Sequence, residues 1–225
     1  MLGLLLRLGF WQLDRAAYKD ALDASFQRAE DAAPVPPRSL LGAGTAEDQW
    51  RYRKVSLEGV AGAGRQYLLD NRTHRGRAGY HVLTVVMEGG RGVIVNRGWA
   101  PANPDRSKLP ALPVESAAAR YSGRLVPPPR PGLLLGDAGY GGDRWPRVVQ
   151  RVELDTMSKE LGVELMPAVV LLDPAHPACL VCQWKPGGGV SADRHRGYAL
   201  QWFSLAVALV VLVGVVTARW VRRRD

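Results

Sequence analysis

His176, Cys179 and Cys182 stand at successive three-residue intervals. An imidazole and two thiols so spaced could clip a soft metal, copper included. The two thiols could equally close a disulfide in an oxidising compartment. Gln183 follows Cys182 where covalent attachment of a c-type haem requires His, and no strand-to-helix opening surrounds the pair as in a thioredoxin motif. A second group centres on His195, flanked by Arg194 and Arg196. On a helix, His195, Tyr198, Ala199 and Trp202 fall at i, i+3, i+4 and i+7 and share one face. That face carries a potential ligand and two aromatic rings, and the flanking guanidiniums can pair with carboxylates or simply snorkel beside an interfacial imidazole. Arg72 and Arg97, in Asn71-Arg72 and Asn96-Arg97-Gly98-Trp99, end candidate strands. They can meet an acidic partner or pair internally with neighbours such as Asp70. Nucleophile elbow, phosphate loop and H-E-x-x-H are all missing, and the carboxylates are scattered. Nothing in the sequence combines basic and aromatic residues as nucleic-acid recognition requires, so the reading is neither an enzyme nor a nucleic-acid binder.

These residues are positioned by a chain of 225 residues with 30 basic and 21 acidic side chains, net +9. The distribution of that charge is more telling than its sum. Gly197 to Ala218 carries no charge, whereas Arg219, Arg222, Arg223 and Arg224 follow at once. At helical rise the uncharged run is about 33 Å long, enough to cross a hydrocarbon core of about 30 Å. Trp202 and Trp220 suit the two interfaces, and the arginines assign 219–225 to the cytoplasm. Residues 34–196 then form a domain exported across the membrane, the periplasm in a bacterium. Residues 1–13 (MLGLLLRLGFWQL) are apolar apart from Arg7 and cover about half a span. They lack the charged start and small-residue cleavage site of a signal peptide. They are expected to be the remnant of a first transmembrane helix, the natural chain being longer at its N-terminus. Residues 14–33 continue as a polar, alanine-rich helix leaving the membrane, stopped by Pro34, Pro36 and Pro37.

The middle of the chain changes period. Strands are predicted over 52–60, 66–70, 80–87, 92–96, 119–126, 148–154 and 167–172, with a hairpin at Gly89-Gly90. A short helix is expected between the last two strands, capped by Asp155 and stopped by Gly162. Pro/Gly-rich loops fill 101–113, 126–146 and 184–190. The fold class that follows is an α+β membrane protein, a mainly antiparallel β domain between two transmembrane helices, with barrel and sandwich both open.

Four segments in order resemble the SURF1/Shy1 family, the assembly factors of haem-copper cytochrome c oxidase. They are Gly9-Phe10-Trp11-Gln12-Leu13-Asp14-Arg15 with Lys19; Leu69-Asp70-Asn71-Arg72 with Gly76, Gly79, Tyr80 and Val82; Val95-Asn96-Arg97-Gly98-Trp99-Ala100-Pro101; and His195 with Gly197-Tyr198-Ala199-Leu200-Gln201-Trp202-Phe203. Val85 follows Thr84 where the family usually has Pro, and Cys179 and Cys182 are outside its pattern.

The resemblance implies a bacterial inner-membrane protein, spanning the bilayer twice, that promotes maturation of aa3-type oxidase subunit I. It implies handling of haem a and, as a further partner, haem a synthase. His195 becomes the expected ligand of the haem iron, since neutral imidazole is a normal axial ligand. Tyr198 and Trp202 would wall the macrocycle and Ala199 would leave room for it. Arg194, Arg196, Arg72 and Arg97 would pair with its propionates. Trp11 and Gln12 are expected to meet Trp202 and Gln201 where the helices leave the membrane. A scaffold that stabilises subunit I without haem and a metal or thiol-redox protein acting through Cys179 and Cys182 are the alternatives.

Overall fold

In chain order the elements are α1 (Leu2–Arg28), the one-turn α2 (Glu47–Trp50), β1 (Lys54–His74), β2 (Arg77–Glu88), β3 (Arg91–Pro101), β4 (Ala118–Val126), β5 (Arg147–Val149), α3 (Leu154–Leu161), β6 (Leu165–Leu172) and α4 (Ala192–Val221). They are seen in a computed structural model describing residues 1–42, 45–112, 117–129, 138–141, 144–186 and 189–224. Parts of the loops expected over 101–113, 126–146 and 184–190, and the last residue of the basic tail, lie outside the described residues. The chain divides into two units. One is Arg28–Trp184, with the six strands; the other joins Met1–Gln27 to Lys185–Asp225 and holds α1 and α4.

Within the first unit the sheet returns on itself. β1 pairs antiparallel with β2 and with β4, β2 with β3, and β4 with β6, while β3 and β6 run parallel. Five strands thereby close a barrel-like sheet, and β5 adds a short parallel pairing beside Tyr67–Leu69 of β1. Closure decides the question that strand periodicity left open. Alternation along the strands builds two apolar layers. Val55, Leu57, Val93, Val95, Leu125, Val170 and Leu172 share one cluster. Tyr67, Leu69, Leu83, Val85, Ile94 and Val169 form another, together with Met157 of α3. β3 lies between β2 and β6 and is buried at every position from Gly92 to Ala100.

The expected hairpin is present, with φ of 57° and 84° at Gly89 and Gly90, the left-handed geometry of a tight two-residue turn. Strands over 119–126 and 167–172 are also found, as β4 and β6. Four expectations need correction. The segments 52–60 and 66–70 are one strand, β1. The glycines and alanines between Gly59 and Gly64 weaken the sequence signal there, yet the strand continues, with Val60 opposite both Ala118 and Met87. The strand expected over 148–154 stops at Val149, where its pairing with β1 ends. Leu154 instead opens α3, whose N-cap is Glu153 rather than Asp155; Gly162 ends it as expected, with φ of 68°. The helix expected to reach residue 33 ends at Arg28. The chain turns there so that Ala29 is buried and Glu30 meets Lys54 and Arg124. Where the family has Pro, Val85 pairs with Ile94 and β2 runs on to Glu88.

A polar tie fastens α3 to the barrel. Glu160 accepts hydrogen bonds from the Tyr67 hydroxyl (2.8 Å) and the Gly141 N–H (2.7 Å), and forms an ion pair with Arg147, which is 8% exposed. Burial and the adjacent carboxylate push the Tyr67 hydroxyl pKa well up, so it remains a donor. Glu160→Ala strips the carboxylate from a buried guanidinium and is expected to cost about 3–5 kcal/mol. The loss is measurable as a lowered unfolding midpoint of the full chain in detergent.

Candidate functional site

The segment from Asn96 to Trp99 folds as a bulge in β3. His81 faces Trp99 and Leu83 faces Asn96, so Arg97 and Gly98 together oppose Val82 alone. The Asn96 side-chain oxygen accepts the Gly98 N–H (3.0 Å), and Gly98 has φ of 101°. A Cβ at Gly98 would fall 2.6 Å from the Val181 carbonyl, so the position accepts no larger residue without a shift. The bulge buries Arg97 to 5% exposure, where its Nε donates to the Ala178 carbonyl (3.0 Å). Trp99 Nε1 donates to the Arg72 carbonyl (2.9 Å), which brings two separated sequence motifs together.

Arg72 is half-buried, and its Nε has no hydrogen-bond partner among the described residues. Burial lowers the pKa of both Arg72 and Arg97. Asp70, the neighbour expected to pair with them, is bound instead by Arg106 (3.0 Å). His81 completes this corner, its Nδ1 lying 3.3 Å from Asn96 Nδ2 and its ring edge-on to Trp184. Burial, with a smaller contribution from the Arg72 charge, pushes the His81 pKa down to about 4.

Cys179 and Cys182 are joined by a disulfide. His176 Nδ1 accepts the Ala178 N–H (3.0 Å), and Nε2 lies 3.0 Å from the Arg120 carbonyl. With the thiols bonded and the imidazole held by backbone at both nitrogens, the triplet is not arranged as a metal clip. Among the described residues no three His, Cys, Asp or Glu side chains gather as a metal site.

The helical unit holds the second set. The first turn of α4 is capped by Ser191, whose hydroxyl accepts the Arg194 N–H. The residues α4 buries are Ala192, His195, Ala199 and Ala206; α1 buries Gly9, Ala16 and Leu22. These small side chains let the helices approach. At Gly9 a Cβ would come within 2.5 Å of the Phe203 ring. Phe10 meets Phe203 edge-on with centroids 5.3 Å apart, and Asp20 pairs with Arg196, so the helices run antiparallel. Next to Arg196 on α4, His195, 9% exposed, has its Nδ1 at 2.6 Å from the Gln12 Oε1. Trp11 stands edge-on to the same imidazole at 6.5 Å.

Gln12 therefore meets His195 and not Gln201. The reason is helical phase: His195, Ala199 and Ala206 share the face turned to α1, whereas Gln201 falls on the exposed side. Likewise the ring beside Trp11 is that of His195 rather than Trp202. Ala199 is 1% exposed, so the space the sequence assigned to a macrocycle at that residue is filled. Tyr198 is exposed and Trp202 half-buried. Arg196 is engaged by Asp193 and Asp20, while Arg194 is exposed and makes no ion pair among the described residues. The candidate residues thus fall into two units, Arg72 and Arg97 in the barrel and the other five in the helical pair. Gln12 was missed as a partner of His195, because the pairing depends on the phase of each helix.

A model of the SURF1 family matches residues 1–207. The chain belongs to the SURF1 family. It is also similar to the cytochrome oxidase assembly protein SHY1 of Saccharomyces cerevisiae, 29% identical over 128 residues. That stretch is 55% of this chain and 33% of the yeast protein, so the chain spans about a third of its relative's length. The segments that resemble the SURF1 family are those that build both corners: Gln12 with His195, and Arg72 with the Asn96–Trp99 bulge.

His81 carries a pH dependence with a definite sign. Its folded pKa of about 4 lies below the ordinary 6.5, so the unfolded chain binds the extra proton between those values. Its contribution is therefore intact above pH 6.5 and is lost as pH falls toward 4, by roughly 3 kcal/mol in all. Unfolding midpoints measured across this window should fall less steeply in His81→Gln than in the unmodified chain.

Proposed function

We propose that this SURF1-family chain is a membrane-anchored assembly factor for haem-copper cytochrome c oxidase, carrying no bond-making chemistry of its own and holding haem a as cargo for subunit I. The name of the yeast relative supports the oxidase assignment. The anchor rests on α4, the one helix among the described residues long and apolar enough to cross a membrane. The arginines after it favour a cytoplasmic C-terminus, with the barrel unit on the opposite, periplasmic side in a bacterial inner membrane. Subunit I, and haem a synthase as the source of the cargo, are the partners this reading requires.

The observation that carries the haem reading is the state of His195. Its Nδ1 is occupied by a neutral amide, and its Nε2 has no hydrogen-bond partner among the described residues. An imidazole so held would bring Nε2 to a haem iron as a ligand. The exposed rings of Trp11 and Tyr198 offer apolar surface beside it, 51% and 45% exposed. Arg194 is the flanking cation left for a propionate, Arg196 being committed to carboxylates. In the barrel unit, Arg72 is half-buried and buried Arg97 serves the bulge. The filled space at Ala199 favours a second reading, in which the helical pair supports subunit I without touching haem.

Haem a co-purifying with the protein, read as a visible absorbance band, separates the two readings. His195→Ala should lower bound haem and oxidase maturation while the protein inserts normally; unchanged haem binding would remove His195 from the role. Replacing Cys179 and Cys182 together by Ser should leave oxidase assembly at its full level, whereas loss of assembly with normal protein abundance would favour a thiol mechanism.

A further inference from the structure

The Gln12–His195 contact does more than join two helices. An amide oxygen only accepts hydrogen bonds, so at 2.6 Å from Nδ1 it requires the imidazole proton to sit on Nδ1. In water a histidine side chain favours the opposite tautomer, with the proton on Nε2. In the uncharged ring this contact leaves the lone pair on Nε2, so Gln12 holds the ring in its less favoured form. The surroundings reinforce this state. His195 is 9% exposed, which excludes most of the water that could exchange the tautomers, and the Trp11 ring stands perpendicular to the imidazole and limits its rotation. Asp193, two residues before His195, and Asp20 of α1 are both bound to Arg196. A neutral amide is therefore the group that orients this histidine.

We propose that Gln12 is a positioning residue that locks His195 in the Nδ1–H tautomer and so presents Nε2 as a ligand to a haem iron. This deepens the haem reading above and rests on it. In metal sites the loss of such an outer hydrogen bond lowers affinity about 10–100-fold.

The test uses the full-length protein in detergent or nanodiscs and has two independent arms. In the first, nitrogen-15 NMR of labelled histidine in haem-free protein should show the Nδ1–H tautomer for His195. Its resonance is assigned by its loss in His195→Ala. Gln12→Leu, which keeps the helix apolar and should insert normally, should move the population toward Nε2–H. An Nε2–H tautomer in the unmodified protein, or the same tautomer in both proteins, would overturn the proposal. In the second arm, titration with haem a should show Gln12→Leu binding about 10–100-fold more weakly. Gln12→Glu, which restores an acceptor, should recover affinity and make the bound haem harder to reduce. Unchanged affinity in Gln12→Leu, with His195→Ala still defective, would overturn the role of Gln12 and leave the haem reading standing. No haem binding by the unmodified protein would overturn the haem reading itself and, with it, the ligand-presenting role.

Discussion

The barrel closes because one strand serves two neighbours. β1 pairs with β4 from Lys54 to Val60 and with β2 from Val60 onward, so the two pairings meet at a single residue. A strand of 21 residues cannot do this without bending, and the register shift between Ala61 and Gln66 is where it does so. Much of the first unit follows from that bend. The second half of β1 carries Tyr67 to the carboxylate of α3 and Arg72 to the indole of Trp99. β3, enclosed between β2 and β6, then has no exposed face on which to place its polar residues.

Asn96 and Arg97 answer that constraint locally. A polar group in a buried strand costs heavily unless it is hydrogen-bonded. The bulge turns the Asn96 side chain onto the backbone of Gly98 and aims Arg97 at the carbonyl of Ala178. What reads in sequence as an exposed, charged strand end is largely internal architecture. Arg72 differs in burial, its side chain being only half covered where Arg97 is enclosed.

The helical unit solves the same problem in an apolar setting. Its seam is made from glycine and alanine, which supply close approach but no direction. Direction comes from the few groups that must find partners: Gln12 with His195, and Asp20 with Arg196. The contact between the Gln12 amide and Nδ1 leaves the other ring nitrogen without a partner among the described residues, and that is the physical basis of the function proposed.

Much of this was legible in the sequence. The uncharged run of α4, the Gly-Gly hairpin, the strands β2, β3, β4 and β6, and the four family segments all follow from local patterns, because burial, turn geometry and helix length act over neighbouring residues. The end of β5 and the unity of β1 were not legible, since they depend on which strand stands alongside. Nor was the partner of Gln12. Sequence placed the two glutamines at matching heights, but the phase of each helix, set by its buried glycine and alanines, decides which side chains meet. Sequence by itself determined which residue types could do chemistry and that they lie beside apolar helices and buried strands. Only tertiary structure decided that Arg97 is spent on the fold, that the two cysteines are bonded, and that His195 is held by an oxygen from a residue 183 positions away. A hydrogen bond is fixed by distance and direction in space, and neither is written in the spacing along the chain.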